Sequence, residues 1–158
     1  MLAMETKTTL VALLISAAAV SLCLASDDVF MGTWKLNNAK SKIPAGTAHN
    51  NTVVYAQSGD DVTITGDGVD AGGKAVHQEW TGKFDGKDYA AKNSPIHDMR
   101  AYTRVDGHTL TYMMKKEGKK VGHGKVVIAA DGKSRTVTET SKGADGKEAT
   151  TTSVFDKE

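Results

Sequence analysis

From residue 58 to the end of the chain, turn signals recur at short, regular intervals. They are SGDD (58–61), DAGGK (70–74), DGK (85–87), VDGH (105–108), KEGK (116–119) and ADGK twice (130–133 and 144–147). Asp-Gly between extended runs marks a hairpin, because its two residues tolerate the positive φ of a type I′ turn. The runs between these turns are rich in Val, Thr, Ile and Tyr, among them NTVVYAQ, DVTIT, AVHQEWTGKF, TLTYMMKK, GKVVIAA and ATTTSVF. Such residues suit a pleated, half-buried surface. Within 75–84, Val76, Trp80 and Phe84 share one strand face, and His77, Glu79 and Lys83 share the other. No segment after the leader shows a helical stripe, and 37–50 is a loop around Pro44 with room for one short turn. The pattern predicts an all-β domain of about nine or ten antiparallel strands. Nearly every connection is short, so neighbours in sequence pair in space. A meander of that length leaves two open edges unless it closes, so a single up-and-down barrel is expected, with the first strand paired to the last.

The first 25 residues stand apart. Lys7 supplies a short basic region, and LVALLISAAAVSLCLA (10–25) is continuously apolar. Cys23 and Ala25 fall at the −3 and −1 positions of a signal peptidase site, with acidic Asp27 and Asp28 beyond. The apolar run is shorter than the roughly 20 residues a membrane span needs. Residues 1–25 are thus expected to be a signal peptide, with Met4 as an alternative start, and 26–158 the folded domain, secreted or periplasmic and without a stable membrane span. Lipidation at Cys23 competes with this reading, although Leu22 stands where a small residue is needed. The single cysteine of the chain is Cys23, so the domain must fold without disulfides. Net charge is +1, which argues against a nucleic-acid partner and against a polybasic membrane patch.

FMGTWKL (30–36) carries Gly-x-Trp on the first strand, and TTTSVFDKE (150–158) is a Thr-rich run with a hydrophobic, aromatic and acidic ending. TLTYMMKKEGKK (109–120) is an antiparallel pair turning at an acidic-Gly-Lys. Together these resemble the calycin superfamily of lipocalins, lipid-binding proteins and avidins, and most of all the fatty-acid-binding type. With the leader, the resemblance implies a secreted, lipocalin-like barrel of bacterial kind that holds a small amphipathic or apolar ligand, lipid-like among the options. It implies that Gly32 and Trp34 are structural, with Trp34 packed over the closed end of the barrel against a late-strand cation, for which Arg135 is the candidate. Carried over residue by residue, it turns Thr151, Ser153 and Phe155 into the lumen, together with Val121, His123 and Lys125. These five, Lys125, His123, Thr151, Ser153 and Phe155, are the expected ligand-contacting set. Fatty-acid-binding proteins carry an Arg-x-Tyr pair where this chain has Ser153 and Phe155, so weak binding of long-chain fatty acids is expected. Lys125 falls near the family's second cation.

Catalytic constellations are missing from the sequence. The mature chain has no cysteine, no Gly-x-Ser-x-Gly elbow and no His-Glu-x-x-His. Asp60 and Asp61 adjoin, but consecutive strand residues point to opposite faces. Five histidines (His49, His77, His97, His108 and His123) show no metal-ligand spacing. No enzyme activity, metal or cofactor is expected. Arg100, Tyr102 and Arg104 lie on one face at period two. They are read as a solvated outer face or as a cationic stripe for an anionic partner. Aromatics make up 6% of the chain and Gly numbers 16, so a large greasy cavity is not expected. Two functions remain: a carrier with a ligand in its lumen, or a filled, non-enzymatic structural or interaction module acting through its outer surface.

Overall fold

The computed structural model describes residues 28–143 and 146–158; the expected leader and its cleavage site lie outside the described residues. Ten strands follow in order: β1 (Gly32–Leu36), β2 (His49–Ser58), β3 (Asp61–Val69), β4 (Ala75–Gly82), β5 (Tyr89–Lys92), β6 (Met99–Arg104), β7 (Thr109–Lys116), β8 (Lys119–Ile128), β9 (Ser134–Lys142) and β10 (Glu148–Lys157). Each pairs with its sequence neighbour, and β10 returns to β1, so the sheet is a closed up-and-down barrel. Closure runs through Trp34↔Lys157, Lys35↔Asp156 and Leu36↔Phe155, all antiparallel. Closing the sheet removes the two edges that the sequence pattern would have left open.

The turns explain the pairing. In KEGK, Glu117 (φ 49) and Gly118 (φ 76) both occupy the left-handed region, the backbone a type I′ turn requires. The loop after β1 holds one 3-10 turn, Asn38–Lys40, capped by the Asn37 side chain. The chain then returns to the sheet, where Lys42 bridges Thr152. No helix among the described residues is long and apolar enough to cross a membrane.

The barrel is filled largely by aromatic rings. Phe30, Trp34, Tyr55, Trp80, Tyr102, Tyr112 and Phe155 are buried in one cluster, with Phe84 and Tyr89 packed against it. Glycines on neighbouring strands make room for them. A Cβ on Gly124 would sit 2.3 Å from Tyr112 Cζ, and one on Gly82 would sit 2.5 Å from Tyr89 Cγ. The rings therefore lie flat across backbone that carries no side chain, and the lumen closes down.

At one end the barrel is shut. Trp34 is fully buried and its indole N–H donates to Phe30 O at 2.9 Å. Arg104 lies over the rings of Phe30 (4.9 Å) and Phe84 (5.3 Å) and pairs with Asp28. Leu110 and Ile128 complete the plug.

Candidate functional site

Above the plug, a cavity of about 110 Å³ remains in the lumen. Its walls include Tyr55, Trp80, Tyr102 and Tyr112, and its mouth is formed by 48–50 and by Ser94–His97, in the loop between β5 and β6. Period two turns Arg100 and Tyr102 inward from β6, Tyr112 from β7, and Arg135, Val137 and Glu139 from β9. The polar groups thus converge from the adjacent strands β6 and β7 and from β9, which β8 separates from β7.

Arg100 is the centre of this arrangement. Its Nη1 donates to the Tyr102 hydroxyl at 3.0 Å and its Nη2 to Met114 Sδ at 3.2 Å, while the guanidinium carbon stands 4.9 Å from the Tyr112 ring centroid. Its Nε is buried with no hydrogen-bond partner. Trp80 Nε1 donates to the Arg100 backbone carbonyl at 2.9 Å, which fixes strand and ring together. Tyr112 donates to Glu139 Oε2 at 2.7 Å. Across the lumen, Gln78 Nε2 donates to Asn50 Oδ1 at 2.7 Å.

Electrostatics follow from this packing. Burial opposes the charge on Arg100, but Tyr102, Tyr112 and Glu139 outweigh it and its pKa is pushed up. Burial pushes the Tyr102 phenol up, against the pull of Arg100. Burial and then Glu139 push Tyr112 well above its ordinary value. At the mouth, His97 is 2% exposed and its Nδ1 is 2.7 Å from Ser94 Oγ. Burial, with Arg100 and Lys116 nearby, lowers its pKa to about 2. The ring is neutral at any ordinary pH.

The residues expected from sequence divide into three groups. Thr151, Ser153 and Phe155 line the cavity. Arg135 is 2% exposed and lies 5.0 Å from the Trp34 ring, with Tyr55 and Phe155 at 4.8 and 4.7 Å. Gly32 has φ +115 and faces the Lys157 stem, where a Cβ would stand 3.0 Å from Cε. His123 and Lys125, by contrast, do not reach the lumen. They are exposed and line an open groove on the outer face of β6–β9. Gly122, Gly124, Val126 and Ile128 are the buried residues of β8, so the carried-over register is displaced by one residue, which exchanges the faces. Val121 is half-buried at the edge of the core.

Arg100, Tyr102 and Arg104 do share a strand face, but it is the inner one, so the expectation of an outer stripe is corrected. Tyr102 is 2% exposed, because its ring packs on Trp80, Phe84 and Tyr112. Tyr112, Glu139, Asn50 and Gln78 escaped the sequence reading. The signal for Glu139 was available: on β9 it lies at period two from Arg135, which was already placed inside. Among the described residues, no three of His, Cys, Asp and Glu converge as a metal set would.

No family model matches the chain, and no curated protein matches it. Among solved structures it is similar to a redesigned β-barrel, mFAP1, bound to DFHBI. The identity is 15%, the match covers 82% of this chain and 95% of that one, and the TM-score is 0.42. A second is EF1p2_mFAP2b bound to DFHBI, at 12% identity over 82% of this chain and 94% of that one, with a TM-score of 0.46. Identity that low transfers no residue roles, and the site stands on its own geometry.

Proposed function

We propose that this chain is an exported, lipocalin-like binding barrel that holds one small ligand, without catalysis, in the upper lumen. The observation that carries the reading is the cavity of about 110 Å³ walled by four aromatic rings around the Arg100 guanidinium. A few fixed polar groups among aromatic walls are the makeup of a small-molecule site. Typical sites for drug-sized ligands run from roughly 300 to 1,000 Å³, so this one suits a compact molecule and not an extended acyl chain. Acid–base work needs a group poised near neutral pH. The buried titratable groups here are driven the other way: His97 down, Tyr102 and Tyr112 up.

The chain has two tryptophans, and they occupy different levels: Trp34 in the plug and Trp80 in the cavity wall. A ligand in the upper lumen should change the emission of Trp80 and leave that of Trp34. Titration of wild type and Trp80→Phe with compounds recovered by native mass spectrometry from the producing host tests this. Loss of the signal in Trp80→Phe supports the lumen site; an unchanged signal places the ligand elsewhere.

One observation favours the other reading, an interaction module acting through its surface. The outer groove of β6–β9 presents Lys115, Lys120 and Lys125 beside Thr111, Thr138 and Met113, which is 39% exposed. Protein that returns from its host bound to a macromolecule, with an empty lumen, would favour it.

A further inference from the structure

We infer that the lumen selects a small, flat, aromatic anion of about the size of benzoate, with the anionic group on Arg100. The inference rests on the lumen-binding reading above and specifies its ligand class.

Charge comes first. The cavity is lined by two guanidinium groups, Arg100 and Arg135, and by two carboxylates, Glu79 and Glu139. Glu79 is already occupied, since its Oε1 accepts from Lys92 at 2.7 Å. His97 is neutral. The lumen therefore holds two cations, the buried Arg135 and the half-buried Arg100 whose Nε is enclosed, against one carboxylate without a cationic partner, Glu139. Glu139 in turn accepts the Tyr112 hydroxyl. A buried cation lacking an anion costs free energy, and an anion seated in the cavity removes that cost.

Unfilled hydrogen-bonding capacity comes second. Arg100 Nε is buried and unpartnered, and Nη2 has only the Met114 sulfur, a weak acceptor. A guanidinium presents its donors as a planar fork that matches a carboxylate, so what Arg100 lacks is what a carboxylate supplies. The neighbouring Tyr102 hydroxyl accepts from Nη1 and is itself hydrogen-bonded to Tyr55, so the unfilled donors at this point are those of Arg100.

Shape comes third. The walls are ring faces and edges: Trp80 and Tyr102 stand 4.8 Å apart at 69°, and Tyr102 and Tyr112 stand 5.2 Å apart at 50°. Aromatic rings pack well in such offset and edge-on surroundings. Protein cavities of roughly 150 Å³ accept benzene, so about 110 Å³ caps the ligand at a single ring, part of which must extend into the open mouth. A long aliphatic carboxylate meets the charge requirement and fails this one.

The test compares benzoate with benzamide, which share shape and differ in charge, by isothermal titration on the intact mature protein. Benzoate is expected to bind at least about tenfold tighter, the margin of a charge-assisted over a neutral hydrogen bond. Arg100→Gln should bring the ratio close to one. Glu139→Gln, which removes the competing carboxylate and keeps the acceptor for Tyr112, should strengthen benzoate and leave benzamide unchanged. Equal binding of both compounds by wild type overturns the anion inference and leaves the lumen site standing. Absence of binding by either, with Trp80 emission undisturbed, overturns both. If Arg100→Gln fails to fold, the wild-type ratio and Glu139→Gln still decide the matter.

Discussion

Acid should destabilise this barrel through one residue at the mouth of the lumen. His97 lies in the segment that joins β5 to β6, buried, with its Nδ1 on Ser94 Oγ. Its folded-state pKa of about 2 lies far below the ordinary histidine value of 6.5. Above pH 6.5 the ring is neutral in both folded and unfolded chains, and it contributes no pH dependence. Below 6.5 the unfolded chain takes up a proton that the folded chain refuses, so stability falls as pH falls. At pH 4.5, two units below the unfolded value, the loss is about 2.7 kcal/mol, from 1.36 kcal/mol per unit. That is a large share of the roughly 5–15 kcal/mol by which domains are stable.

Glu79, Asp85 and Asp106 have lowered pKa values and also lose stability in acid, but they do so equally in a histidine variant. The measurement is therefore a difference. Urea unfolding of wild type and His97→Gln at pH 7.5 and pH 4.5 should show wild type losing about 2–3 kcal/mol more than the variant. If the loop opens locally before the barrel unfolds, the loss is smaller in the melt and appears as faster amide exchange in 93–98 at acid pH. Identical pH slopes in both proteins, with no change in loop exchange, would refute the reasoning.

Four other outcomes are expected. Gly124→Ala should cost about 1–3 kcal/mol in thermal or urea melts, because its methyl group would collide with the Tyr112 ring at 2.3 Å and push the hydroxyl away from Glu139. Trp34→Ala should cost about 3–5 kcal/mol by the same assay, since it empties the plug and strips a ring from Arg135. Lys125→Ala should leave ligand affinity in a Trp80 fluorescence titration unchanged, because that side chain stands on the outer face. N-terminal sequencing of exported protein should begin at or near Ser26; a lipid-bearing Cys23 at the first position would replace the cleaved leader with a lipoprotein anchor.

Much of the barrel was legible because its turns are chemical. Asp-Gly and Glu-Gly have few alternatives to a tight reversal, and sequential reversals leave one economical way to bury strand edges. The inner and outer faces were legible only where a strand carried an unambiguous apolar set. On β4, Val76 and Trp80 identify the core side by themselves. On β8 the inner residues are Gly122 and Gly124, which carry no hydrophobic signal, while His123 and Lys125 look like functional groups and drew attention to the wrong face. The apolar pair Val126 and Ile128, both buried, held the correct register. On β6 the difficulty was opposite. Two arginines and a tyrosine look like a surface, and only the tertiary ring of Trp80, Phe84, Tyr112 and Phe30 makes the inner face hospitable to them.

Arg100 and Arg135 show how one chemistry serves two ends. Both are cations inside the barrel, and both have guanidinium nitrogens without hydrogen-bond partners. Arg135 is enclosed by three rings, at 4.7 to 5.0 Å, next to the plug. Its charge is met by π faces on several sides, and it ties β9 to β1, β2 and β10 at the point where the barrel closes. Arg100 has two rings, at 4.9 and 5.7 Å, one phenol and one sulfur. It has open volume where further rings would have been. The glycines of β8 create this asymmetry. By letting Tyr112 lie down across the backbone, they bring its hydroxyl to Glu139 and leave space above Arg100. Adding a methyl group at Gly124 would therefore act on the site as well as on the core. It lifts the Tyr112 ring toward Arg100 and takes up the volume in which an anion would sit.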